Sequence, residues 1–330
     1  MHALHRDLFV HPESQNELFA PNSWYGSARI IKNYTHWKLP LPLIVPHGVC
    51  LSSSFVWQAE VNCGLKRVYS FPRHRRKAYE NGSSLEPIEG ASPWLYLLRG
   101  KNGNKTKVIE TLAFPAHSTH HVEAKTDDEA YASFLSKLQD KSGPVAVCMY
   151  WRDIQLGRYA AFLRKGLRVL SAGHIFDEMF FERLLHILQH TKRIHSPSVG
   201  SHLFYAASIG CHVTYEMQSE IEHSAPESVK ARDNANTDKN LLDQITRMFS
   251  EEVAVKEQQG FAEQFLGKNN LKSPAGLFGT LARSALSSRA WWRTAIRKVP
   301  KSRRHLPQDN CLDAPFNVNS DTSIYLRALS

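Results

Sequence analysis

Between residues 41 and 123 short apolar runs alternate with turn-rich connectors: LPLIVPHGV, LKRVYSFP, SPWLYLLRG and KVIETLAFPAHST. Each reads as a strand or a strand end. The segment TDDEAYASFLSKLQD, 126 to 140, places Ala130, Phe134 and Leu138 at helical spacing behind an acidic, cappable start, and predicts a helix. The next hundred residues are the most regular. PVAVCMYW reads as a buried strand, RDIQLGR as a polar loop, and YAAFLRKG as a helix ending at Gly166. LRVLSAG is a second strand, and FDEMFFERLLHILQHTK a helix with Phe181, Leu184, Leu185 and Leu188 on one side. KRIHSPS is a third strand and loop, VGSHLFYAASIG a further helix, and CHVTYE a closing strand. Strand and helix alternating in this way predict a doubly wound parallel sheet centred on residues 143 to 218, with the earlier strands forming a second layered domain. After Glu216 a polar stretch precedes a helical region near 241 to 267.

The 330 residues, with 42% hydrophobic and 22% charged, supply core material for one large or two ordinary domains. That excludes a mainly disordered or membrane-embedded chain. No stretch approaches the apolar length of a bilayer span, and the first residues lack a leader-type apolar core, so a cytoplasmic protein is expected. Five cysteines without metal-type or disulfide-type spacing fit the same compartment. The formal charge of +10 points to an anionic partner. Nine basic residues and no acidic one lie between Lys272 and His305. If helical, Leu281, Ala285, Ser288, Trp292, Ile296 and Val299 form a stripe beside Arg289, Arg293 and Arg297, the pattern of a helix in an anionic membrane interface or of one docked on its own domain. Nucleic acid is not expected, since the basic cluster is local and no recognised motif accompanies it.

Besides this tail, five constellations could carry chemistry. Ser196, Ser198, Gly200 and Ser201 lead into a helix start, where free amides and the helix dipole favour a phosphate, and His202 adds a donor there. An ordinary capped helix has the same composition. His117, Ser118, Thr119, His120 and His121 could supply a general base and hydroxyl donors, or form a solvated loop. Zinc is disfavoured because His120 and His121 are adjacent and no third ligand has a recognisable spacing. His47 sits in a turn after a strand-like run, where side chains can enter a cleft. Arg73 and Arg75 could meet an anionic acceptor or form a solvated face. Arg152, Asp153, Gly173, His174 and Asp177 follow two predicted strand ends and would converge at a crevice, or cap the next helices.

The order of these motifs resembles two-domain GT-B glycosyltransferases of bacterial surface polysaccharide synthesis. Kdo and polysialic acid transferases of lipopolysaccharide and capsule, and CDP-glycerol glycerophosphotransferases, are the nearest analogies. The resemblance covers roughly residues 41 to 216. It implies an α/β fold with two Rossmann-like domains around a cleft: residues 1–142 on the acceptor side and 143–270 holding the nucleotide donor. Residues 271–330 add a basic helical tail. It also implies transfer of a sugar or polyol phosphate from a nucleotide-activated donor, cytidine favoured, by direct displacement without a metal or separate cofactor. His47 or His117 would be the base, Ser198, Gly200, Ser201 and His202 would meet the donor phosphates, and Glu216 could hold its ribose or sugar. The acceptor would be lipid-linked or polysaccharide, met by Ser118, Thr119, His120, Arg73 and Arg75, with residues 281–304 on the inner leaflet. The alternative is a non-catalytic phospho-ligand or glycan-binding protein.

Overall fold

The computed structural model describes residues 17–46, 48–99, 101, 105–118, 123–216, 222–224 and 238–297. A 3-10 segment, Ala20–Gly26, leads into α1 (Ser27–Thr35), and α2 (Gln58–Val61) precedes β1 (Arg67–Ser70). α3 (Arg75–Gly82), β2 (Glu86–Glu89) and α4 (Pro93–Leu98) complete a first lobe. Its strands are parallel: β1 pairs with β2, and Ile44 bridges Val68 on the other side. The run SPWLYLLRG, expected as a strand, is α4. Ser92 accepts the amide hydrogen of Trp94 and Pro93 stands in the first turn, so the start is a capped helix. Trp94, Leu95, Tyr96 and Leu97 are all buried, which erases the periodicity that would have told helix from strand.

The second lobe is built on β3 (Ile109–Ala113), followed by β4 (Glu123–Lys125), α5 (Asp128–Ser142), β5 (Val145–Cys148), α6 (Trp151–Gln155), α7 (Tyr159–Arg164) and β6 (Arg168–Leu170). Then come α8 (Phe180–Gln189), β7 (Thr191–Ser196), α9 (Ser201–Ser208), β8 (His212–Tyr215) and β9 (Glu222–Ser224). Five strands form one parallel sheet in the order β6-β5-β3-β7-β8, while β4 and β9 pair antiparallel apart from it. In order of appearance the sheet runs third, second, first, fourth, fifth, the doubly wound arrangement. The expected α/β class with parallel sheets is therefore what the chain adopts.

Alternate residues of each strand feed opposite faces. Val145 and Val147 pack with Tyr131, Leu135 and Phe162 of α5 and α7. Ala146 and Cys148 face the other core, shared with Leu184 of α8, Leu203 of α9 and the first lobe. The helix stripe Phe181, Leu184, Leu185 and Leu188 is buried as its spacing predicts. In α5 the stripe turns: Tyr131, Ala132 and Leu135 are buried, whereas Phe134 is 45% exposed. On that face the hydroxyl of Tyr131 meets His195 Nδ1 at 2.8 Å, while Ala132 and Leu135 join the apolar cluster beneath.

One expected boundary and one expected helix stripe change. The division at 142/143 cuts the second sheet, because β3 is its central strand. A run of parallel-strand type carries no mark of the sheet it will join. After α10 (Lys239–Met248) and α11 (Val255–Phe265), the described part of the basic tail is two docked helices, α12 (Pro274–Ser287) and α13 (Arg289–Arg297). They meet at Ser288, which has φ −110° and ψ 95°, so the single stripe expected from 281 onward is broken. Leu281, Ala285 and Ser288 are buried, and so is Trp291 in place of Trp292. Trp291 donates to the Pro40 carbonyl at 3.1 Å and lies beside Trp37, so this face is docked on the first lobe. Val299 lies outside the described residues.

Candidate functional site

In a doubly wound sheet the neighbouring strands whose connections depart to opposite faces leave a crevice at their carboxyl ends. Here those strands are β3 and β7, paired through Leu112 and Ile194. The segment 114–118 leaves β3, and the segment 197–200 leaves β7 for α9. Both border a cavity of about 350 Å³ that Gly48, Val49 and Trp57 of the first lobe close from the other side.

α9 starts at Gly200, which supplies no side-chain cap; the Leu203 amide meets the Gly200 carbonyl at 3.2 Å, and the amides of Ser201 and His202 receive no side chain from the cap position. Gly200, Ser201 and His202 all line it, as does His117. His202 stacks on Phe114 with ring centroids 4.5 Å apart, and its Nε2 lies 2.9 Å from Ser196 Oγ. Burial, with His117 nearby, pushes the His202 imidazole down to about 3, so it is neutral at physiological pH. Its expected role as a charged donor gives way to that of a neutral ring. Ser201 Oγ accepts the amide hydrogen of Val49 at 2.7 Å and so bridges the lobes. Gly200 is extended, at φ −160°, and an added Cβ would stand 2.7 Å from His202 Nδ1. The packing of His202 therefore requires this glycine, whatever approaches from the cavity.

Other expected donor-side residues are used internally. Ser196 is fully buried, its hydroxyl within reach of the Phe114 and Ser198 carbonyls. The Ser198 hydroxyl is buried without a hydrogen-bond partner among the described residues, and it is not part of the cavity wall. Arg152 reaches Gln155 at 3.3 Å and points elsewhere. Asp153 is buried against Arg158 and accepts from the Ser118 amide. Gly173 has φ +108° and is overlain by the Arg183–Asp177 ion pair, so a side chain of the protein occupies the approach expected for a ligand. The His174 ring packs 4.1 Å from Trp151, and its Nδ1 accepts from the Phe176 amide. Glu216 is exposed beside His195 and does not line the cavity.

On the acceptor side Arg73 is exposed. Arg75 is 2% exposed and donates to the Ser52 and Phe55 carbonyls at 2.7 and 2.6 Å. It braces a loop and presents no charge to a ligand. Ser118 is buried, its hydroxyl accepting from the Ala124 amide. His47, Thr119 and His120 lie outside the described residues, as does His121; the neighbours of His47, Gly48 and Val49, are in the cavity wall.

The cavity also holds residues that sequence reasoning passed over. Tyr25 arrives from the first lobe in a left-handed conformation, φ 56°, at a cost of roughly 1–2 kcal/mol for a non-glycine residue. Its hydroxyl meets that of Tyr150 at 3.1 Å, and its ring lies 4.6 Å from Phe180. Tyr150 in turn lies 5.1 Å from His117. No local pattern signals a contact between residues so distant in sequence. Among the described lining residues there is no Lys or Arg, so an anion there would be met by amides and imidazoles. Among the described residues no three His, Cys, Asp or Glu gather in a metal-type cluster.

No family model matches the chain, and no curated protein matches it. Solved structures give low similarity. The pneumococcal O-GlcNAc transferase GtfA, in complex with UDP and GlcNAc, is 10% identical with TM-score 0.37 over 73% of this chain and 52% of its own. The chain thus spans about half the length of that protein. The wall teichoic acid polymerase TagF is 9% identical with TM-score 0.38, over 74% and 68% of the two chains. The UDP-GlcNAc 2-epimerase from Neisseria meningitidis is 11% identical with TM-score 0.36, over 84% and 82%. What the fold and site themselves define is a two-lobed α/β protein with its cavity at the switch point of a Rossmann-type sheet.

Proposed function

We propose that this chain is a nucleotide-sugar-dependent glycosyltransferase of the GT-B type, acting on a bacterial surface-polysaccharide or lipid-linked acceptor. The observation that carries the reading is that the uncapped entrance of α9 and the imidazole of His117 line one cavity between the lobes. In the mechanism, His117 takes the proton of an acceptor hydroxyl, whose oxygen forms the new bond to the sugar carbon. The bond from that carbon to the donor phosphate breaks, and its electrons stay on the phosphate. The first-turn amides of α9 stabilise the departing charge. A cytidine nucleotide is the favoured donor, and no metal is required in this scheme.

Attachment to an anionic inner leaflet belongs to the same proposal. What supports it is the exposed Leu286 and Trp292 next to Arg289 and Arg293. Vesicles of anionic lipid should sediment the protein, and Trp292→Ala should weaken that binding.

The test is a thermal-shift panel of CMP, CDP, UDP, GDP and TDP, followed by transfer assays with the sugar derivatives of the nucleotide that stabilises. His117→Gln should keep the thermal shift and lose transfer. A nucleotide shift in the absence of any transfer by the wild type would favour a phospho-ligand-binding protein, and no shift with any nucleotide would overturn the donor site.

A further inference from the structure

We infer that the buried Arg158–Asp153 pair is a positioning device that sets the backbone of His117 at the cavity wall. The inference rests on the proposed function for what His117 does, while its test reads the imidazole itself.

The segment after β3 belongs to no helix and no strand through residue 118, so its backbone groups need partners from outside. Two of them find the same pair. Arg158 Nη1 donates to the Ala116 carbonyl at 3.1 Å, and the amide of Ser118 donates to the Asp153 carboxylate at 3.1 and 3.2 Å. The carbonyl before His117 and the amide after it belong to the two peptide planes that meet at its Cα. Holding both planes leaves φ and ψ of residue 117 little freedom.

The anchor is itself over-determined. The side chains of Arg158 and Asp153 are 11% and 3% exposed and meet at 2.5 Å. Arg158 also donates to Asp128 at 2.8 and 2.7 Å and to Thr126 at 2.5 Å. One guanidinium thus ties the exit of the central strand to the N-terminus of α5 and to the turn between α6 and α7. The planar fork of Arg serves these directions at once, which a lysine ammonium cannot. Asp153, expected as a donor ligand, acts through His117 instead. A histidine proposed to take a proton must stand within hydrogen-bond reach of it, and a loop without regular structure does not guarantee this unaided.

The experiment uses the full chain with isotope-labelled histidine, the His117 ring resonances being identified by their loss in His117→Gln. In Arg158→Lys and Asp153→Asn those resonances should shift and broaden, while the other histidines and the circular dichroism stay unchanged. The exposed Arg164→Ala should leave them in place. In transfer assays kcat should fall on the order of 10- to 100-fold, with the nucleotide KM changed by less than about twofold. If Arg158→Lys does not fold, Thr126→Val removes one partner of the guanidinium without altering charge and should still displace the His117 resonances. Folded variants with wild-type His117 resonances would overturn the inference. Normal transfer by His117→Gln would overturn the proposed base and leave the positioning to be decided by the resonances.

Discussion

The hydroxyl of Ser201 accepts the backbone amide hydrogen of Val49 at 2.7 Å, joining the first turn of α9 to the first lobe at the mouth of the cavity. The adjoining Gly48 has φ +78°, and a Cβ there would lie 2.5 Å from Ser201 Oγ. Ser201→Ala should lower unfolding free energy by about 1 kcal/mol through the lost hydrogen bond. Gly48→Ala should cost more, since it adds a clash to an unfavourable backbone conformation. Urea unfolding midpoints of the two variants check both. Because the same contact closes the cavity, Ser201→Ala should also weaken nucleotide binding in titration calorimetry.

Buried His202 makes stability acid-sensitive. Its folded value of about 3 lies below the ordinary imidazole value of 6.5, so between these two the unfolded chain binds the extra proton. Stability should therefore rise with pH across that window and be lost as pH falls below 6.5. One such group contributes a slope of at most about 1.4 kcal/mol per pH unit. His202→Gln should flatten the melting temperature between pH 6.5 and 4. Some slope should remain, since burial also lowers His195 and His74.

Glu60 acts with the opposite sign. Its Oε2 accepts from the Tyr79 hydroxyl at 3.0 Å, and burial pushes the carboxyl up to about 7. The folded protein holds this proton where the unfolded chain has released it, so the contribution is full below 4.5 and is lost as pH rises through 7. Glu60→Gln should raise the melting temperature at pH 8 relative to wild type, and the difference should disappear near pH 4.5.

The two adjacent tryptophans of α13 should behave differently. Trp291 is fully buried while Trp292 is 40% exposed. Trp291→Ala should destabilise by about 3–5 kcal/mol, whereas Trp292→Ala should fall within about 0.5 kcal/mol of wild type. Chemical denaturation distinguishes this from a free amphipathic tail, in which neither change would affect the global transition.

Much of the second lobe was legible because its strands and helices carry their own periods. The α8 stripe and the loop running into Ser201 are local patterns, and local patterns survive in a linear reading. His117 and His202 lie on the segments that leave the parallel strands β3 and β7, the second inside the first turn of α9, and both line the cavity. α4 was misread because it is buried on all sides. Arg75 and Asp153 were misread because a charged residue looks the same in sequence whether it meets solvent, a ligand or a buried partner. Tyr25 and Tyr150 left no sign at all, their contact being made only when the lobes come together.

The amino-acid sequence by itself determined the α/β class, the approximate succession of strands and helices in the second lobe, and the two strand-end segments that border the cavity. These depend on side-chain periodicity and turn chemistry over a few residues. Tertiary structure alone decided that β3 sits at the centre of the sheet, that the basic helices dock on the first lobe, and which polar groups reach the cavity. Those outcomes depend on strand pairing and on buried charges finding partners far along the chain, and neither leaves a periodic trace in the residues themselves.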